Sequence, residues 1–188
     1  MQWTIPGTTL VGDRDHADQI SDQFDALFLA GGLTLSQVAT IAGTENHVIQ
    51  NWVKRGFLPP PVNKRYSMEQ LCRILNINLL RGILPIDQVL VLMRYLNGDL
   101  VDESDDLVDD TQLYFYFVRL AAKCQYIGGD AWEDALSFVT ADYQESVIGA
   151  RTKLRKVLNI MLTVWVANCL KSKVDIMLTE LTSEPTEL

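Results

Sequence analysis

Apolar residues recur at three- and four-residue steps along most of the chain, and glycines, prolines and polar clusters divide these runs into separate helices. Residues 13 to 30 place Ile20, Phe24, Leu27 and Phe28 on one stripe among aspartates, which predicts an acidic amphipathic helix closed by Gly31 and Gly32. Four shorter helices follow, over 34–42, 44–55, 67–81 and 85–96. Thr34 with Gln37 and Ser67 with Gln70 have capping-box spacing, in which each side chain satisfies a free backbone donor of the first turn. Beyond residue 111 the pattern is again helical. An aromatic run, Tyr114 to Phe117, leads to Cys124, Asp130 with Glu133 opens another helix, and an apolar segment from Asp142 to about Leu181 reads as one long helix or two broken ones. Strand-like alternation is expected nowhere outside the loop before Ser67.

The chain has 188 residues, 48% of them hydrophobic, ample for a packed core. A net charge of −8 argues against a nucleic-acid partner, but the charge is unevenly spread. Residues 1–32 carry −4 and residues 98–188 carry −8, whereas residues 33–97 carry +4 through Lys54, Arg55, Lys64, Arg65, Arg73, Arg81 and Arg94. A split of this kind suits a segment that meets a polyanion. Cys72, Cys124 and Cys169 are far apart and set among apolar neighbours, so they are expected to be buried thiols of a reducing compartment. The first residues lack a signal-peptide pattern and no run reaches about 18 apolar residues, so a cytoplasmic protein without a membrane span is expected. The stretch from Asn97 to Asp110 holds seven acidic residues and reads as a solvated linker or the start of a second lobe. A calcium loop would need a central glycine and a glutamate at its twelfth position, and neither is in register.

Leu35, Val38, Ala39 and Ala42 give the helix over 34–42 one apolar face, and Gly43 supplies a sharp turn into the next helix. That is helix-turn-helix spacing. In the second helix Val48, Ile49, Trp52 and Val53 fall inward, leaving His47, Gln50, Asn51 and Lys54 on one outward strip. Gln and Asn can bond an adenine edge in a bidentate way, and Lys and His can reach guanine or phosphate. Arg55 and Gly56 end the helix, three prolines stiffen the exit, and Asn63-Lys64-Arg65-Tyr66 forms a short basic loop. Lys64 and Arg65 suit a phosphate backbone, where they would position the domain and carry no base information.

The runs LTLSQVATIAG, HVIQNWVKRGFLPPP and KRYSMEQLCRILNINLLRG resemble the MerR-type winged helix-turn-helix. With LPIDQVLVLMRYLNG they resemble, more closely, the bacterial DUF1836 family of uncharacterised MerR-like proteins from Firmicutes. Periodicity and resemblance together give a mainly α fold: an N-terminal acidic amphipathic helix over 1–32, the MerR-like winged helix-turn-helix that the resemblance implies over 33–97, and an α-helical effector or dimerisation bundle over 98–188. The resemblance further implies a recognition helix and exit over 48–58, a wing at Asn63–Tyr66, and Arg73 on the following helix as a further DNA contact. Gln50 stands where MerR proteins commonly carry arginine, and the wing is shorter than theirs.

These readings converge on a transcriptional regulator that binds double-stranded DNA through His47, Gln50, Asn51, Lys54, Arg55, Lys64, Arg65, Tyr66 and Arg73, with no metal and no cofactor. The broad apolar band from Ile148 to Leu170, nearly all of it expected inside, predicts the middle of a bundle or a two-fold pairing, and a homodimer is the usual reader of palindromic sites. A membrane-surface helix is a weaker account of the same band, preceded as it is by Arg151, Lys153, Arg155 and Lys156. Tyr114–Phe117 and Trp132 suit either a core or the pocket of an unidentified small-molecule effector. The alternative function is a protein-interaction module on a helix-turn-helix fold, since fold does not determine function. Catalysis is not expected: His16 and His47 are the only histidines and no nucleophile motif or phosphate-binding loop is present.

Overall fold

A computed structural model describes residues 1–98, 106–124 and 130–183. Two short antiparallel strands, β1 (Gln2–Thr4) and β2 (Val11–Asp13), open the chain, with Trp3 paired to Gly12. A 3-10 segment over Arg14–Gln19 leads into α1 (Ile20–Phe28). Then come α2 (Leu35–Ala42), α3 (Asn46–Lys54), α4 (Met68–Arg81), α5 (Ile86–Asn97), α6 (Asp110–Lys123), α7 (Asp130–Val139) and α8 (Ala150–Ser183). The fold is mainly α, as the periodicity predicts, and both capping boxes form: the Thr34 and Ser67 hydroxyls accept from the backbone N–H of Gln37 and Gln70.

The structure corrects the reading of the first 30 residues. The hairpin was not expected, and residues 13–30 are not one helix, because Asp13 caps the 3-10 segment and the backbone at His16 is not helical. The hairpin loop has a clear task. A helix end leaves carbonyls without partners, and those of α2 are taken up from two sides. Thr9 donates its N–H to Ile41 at 2.8 Å and its hydroxyl to Thr40 at 2.9 Å, and the Asn78 amide of α4 donates to Ala42 at 2.7 Å. Gly43 then turns the chain with φ 59°, the left-handed conformation that favours glycine.

α4 lies at the centre, with Leu71, Ile74, Leu75, Ile77 and Leu80 all buried and with α1, α2, α5, α6 and α8 packed around it. The core is continuous across the segments 1–32, 33–97 and 98–188. Phe24 of α1 stacks against Tyr114 and Phe115 of α6, the Tyr114 hydroxyl donates to Pro6 at 2.9 Å, and Arg14 donates to the carbonyl of Ala122 at the end of α6. Tyr114, Tyr116 and Phe117 are thus core residues; Trp132 on α7 is half-buried.

Polar groups inside this core pair with one another. Arg73 of α4 is 2% exposed and donates through Nε to Asp110 Oδ2 at 2.5 Å, while the Asn76 amide donates to the Asp110 carbonyl at 3.2 Å. Asp110 is fully buried at the start of α6, not part of a solvated acidic linker. Burial pushes its carboxyl upward, and the Arg73 guanidinium and Asn76 amide pull against that. Residues 99–105 of the acidic stretch lie outside the described residues.

The last helix also departs from expectation. α8 begins at Ala150, so Asp142 and the fully exposed Ile148 precede it. Leu154, Val157, Leu158, Met161 and Leu162 are buried, Trp165 and Val166 are half-buried, and every described side chain from Cys169 to Thr182 is exposed. Cys169 is therefore a surface thiol, whereas Cys72 and Cys124 are buried. By length and composition alone α8 is apolar enough to cross a membrane, with mean hydropathy 1.2 over its best window, against the expectation that no segment would be.

Removing one partner of a buried ion pair strands a charge. Arg73→Leu and Asp110→Leu are each expected to cost about 3–5 kcal/mol in urea unfolding at neutral pH, and the double variant much less than their sum.

Candidate nucleic-acid interface

α2 and α3 are joined by the Gly43 turn, and α3 turns Ile49 and Trp52 into the core with Val48 and Val53 half-buried beside them. The opposite side carries His47, Gln50, Asn51 and Lys54, all exposed. Steps of three, four and seven residues from His47 put the four on one strip, so the predicted strip is present in the fold. At its N-terminal end His47 Nδ1 lies 3.0 Å from Glu45 Oε2.

Beyond α3 the chain turns at Gly56, and Arg55 lays its guanidinium over the Phe57 ring at 4.5 Å from the centroid. Gln70 then acts twice. Its side-chain oxygen accepts the Ser67 N–H, and its amide nitrogen donates at 3.1 Å to the carbonyls of Pro59 and Pro60. The proline exit is thereby tied to the first turn of α4.

Residues 62–65 form a minimal hairpin. Val62 and Arg65 exchange both backbone hydrogen bonds, at 3.0 and 2.8 Å, around Asn63 and Lys64 at φ 50° and 61°. Positive φ at both central positions is what a tight two-residue hairpin turn requires. Asn tolerates that conformation, but Lys does not favour it, and glycine would be the relaxed choice. The strain is accepted at a position that lifts a cation to the tip of the loop. Tyr66 and Leu33 exchange hydrogen bonds at 2.7 and 2.9 Å, and Arg65 donates to the Gly32 carbonyl at 3.0 Å, so the hairpin is stitched to the segment leading into α2. A Cβ at Gly32 would lie 2.7 Å from the Tyr66 carbonyl oxygen, closer than any side chain could sit.

The nine residues singled out from the sequence divide in two. His47, Gln50, Asn51, Lys54, Arg55, Lys64 and Arg65 are exposed on α3, its exit and the hairpin. Arg73 and Tyr66 are not. Arg73 faces Asp110 in the core, and Tyr66 is 3% exposed, with burial pushing its phenol upward. Arg81, noted only as a contributor to charge, belongs with the exposed group. From the last turn of α4 it donates to the Thr44 hydroxyl at 3.0 Å and to Asn78 Oδ1 at 2.8 Å, and lies over the Trp52 ring at 5.5 Å. It stands at the N-terminal side of α3. The signal that could have found it is its position directly after the last apolar pair of α4, Leu79 and Leu80. No group of three His, Cys, Asp or Glu stands together among the described residues.

Relief of the strain at the hairpin tip is measurable. Lys64→Gly is expected to raise stability in thermal or urea unfolding by about 1 kcal/mol, and Gly32→Ala to lower it as the hairpin is pushed away from α2.

Comparison with known proteins adds a family. The uncharacterized protein YkrK of Bacillus subtilis (strain 168) is 26% identical over 84 residues, 43% of this chain and 36% of that protein, so the alignment spans about a third of the relative's length. No solved structure matches the chain. The model of the family described as a domain of unknown function, DUF1836, matches residues 18–117, just over half of the chain and the part that holds α1 to α5, the 62–65 hairpin and both members of the Arg73–Asp110 pair. The chain belongs to the DUF1836 family.

Proposed function

We propose that this protein is a DNA-binding transcriptional regulator in which α2 and α3 act as a helix-turn-helix and residues 62–65 as a short wing, in the manner of MerR-type domains. The observation that carries the reading is the exposed strip His47, Gln50, Asn51 and Lys54 on α3, flanked by Arg55, Lys64, Arg65 and Arg81 in a chain that is otherwise acidic. α3 enters the major groove. Gln50 and Asn51 read base edges, because a carboxamide offers one donor and one acceptor at the spacing of the adenine N6 and N7 atoms. Lys54 reaches guanine or the backbone, and Lys64 and Arg65 bind phosphate beside the groove. The acidic remainder discourages non-specific binding elsewhere on the molecule. Two copies acting together would read the halves of an inverted repeat, and the protein works as a homodimer in this account.

The second reading, a protein-docking module on the same fold, draws on the whole-chain charge of −8. Salt distinguishes the two, because each phosphate contact releases condensed counterions. Fluorescence anisotropy on a preferred duplex is expected to show Gln50→Ala or Asn51→Ala weakening that site by about 1–3 kcal/mol with little change on random DNA. Lys64→Ala is expected to weaken both duplexes alike and to reduce the slope of log affinity against log salt by about 1. Equal losses on both duplexes for Gln50→Ala and Asn51→Ala would remove base readout by α3.

A further inference from the structure

α8 has two faces, and its own chain covers one. Leu154, Val157, Leu158, Met161 and Leu162 are buried against the body. On roughly the opposite side Ile160, Thr163, Ala167, Leu170, Val174, Met177 and Leu181 recur at alternating steps of three and four residues. This is a heptad seam three repeats long, with β-branched residues at two of its alternate positions. The seam is uncovered: Ile160 is 44% exposed, Leu170 46%, Val174 52%, Met177 53% and Leu181 66%. A half-helix with no tertiary contact is marginal in water, and most helical stability comes from packing an apolar face.

An apolar groove of about 410 Å³ opens beside the start of this seam, between α5 and α8, lined chiefly by Leu84, Val91, Leu92, Tyr95, Val157 and Ile160. Val91 is 67% exposed there. Seam and groove fit one occupant. We infer that α8 pairs antiparallel with α8 of a second copy of this chain, so that the tip of each helix, Leu178 and Leu181, fills the α5–α8 groove of the other.

The seam and the groove together set the register. Seating Ala167 against the partner's Leu170 puts Ile160 against the partner's Met177 and Thr163 against the partner's Val174. The same alignment carries the partner's Leu181 to Lys156, at the mouth of the groove. Glu180 then comes beside the partner's Asn159, Lys173 beside the partner's Val166 and Lys171 beside the partner's Val164, so none of the three faces a like charge. A parallel pair would satisfy the seam but leave the groove open and the tips against each other. The inference deepens the homodimer reading and is independent of whether α3 binds DNA.

The test uses the full chain without DNA. Sedimentation equilibrium is expected to give the mass of two chains, and Leu170→Glu with Val174→Glu the mass of one with unchanged circular dichroism outside the loss from the α8 tip, since both side chains are solvent-exposed in the single chain. Lys156→Cys with Leu181→Cys, in a Cys169→Ser background, is expected to oxidise to a covalent dimer whose peptides join position 156 of one chain to 181 of the other. Links joining 181 to 181 would overturn the register in favour of a parallel pair. The mass of one chain for the unaltered protein would overturn the pairing altogether. So would recruitment of the unaltered protein to phosphatidylglycerol vesicles with the seam protected there, which would assign the stripe to lipid. Loss of DNA binding alone, with the 156–181 link intact, would reject the DNA reading and leave the pairing standing.

Discussion

A helix buried on every side has no water to fall back on, and the rest of this structure is arranged around α4, which is in that position from Leu71 to Ile77. Its apolar residues bind five neighbouring helices into one core. Its two buried polar side chains, Arg73 and Asn76, can be tolerated only because α6 brings Asp110 to them. A buried ion pair adds little net stability compared with apolar residues of the same shape. It does fix which turn of α6 lies against which turn of α4, because any slip would leave a charge unpaired in the core.

The ends of the same helix hold the candidate interface. At the N-terminal end Gln70 closes the capping box and anchors Pro59 and Pro60, from which the 62–65 hairpin departs. At the C-terminal end Asn78 binds the last carbonyl of α2, and Arg81 reaches Thr44 and Trp52 at the start and inner face of α3. α4 thus works as a strut between the 62–65 hairpin and the exposed strip on α3. Their relative placement is set by side chains that are themselves held by the core, which is what precise docking of several groups on a rigid partner needs.

The legible parts of the sequence were those where local chemistry decides the outcome. Thr34–Gln37 and Ser67–Gln70 fix helix starts within one turn, and the spacing of Ile49 and Trp52 determines which side of α3 is left for His47, Gln50, Asn51 and Lys54. The hairpin at residues 2–13 was not legible, because strands of three residues show no alternation and their stability comes from docking on α2. Arg73 was misplaced for a related reason: a cation within a basic segment looks like surface until its partner 37 residues away is brought beside it. Leu170 and Ile148 were expected inside because a wide apolar band does not say which of its stripes faces the same chain. Only the packed body distinguishes the covered face of α8 from the open one.

DNA reading by α3 and the adjacent hairpin is a proposal open to direct test. Selection of fragments bound by the purified protein from random and genomic DNA, sequenced after several rounds, tests it most directly. Enrichment of an inverted repeat whose half-sites carry adenine where Gln50 and Asn51 reach the groove, lost on addition of salt, is expected. Recovery of no sequence above background by a folded protein would contradict it.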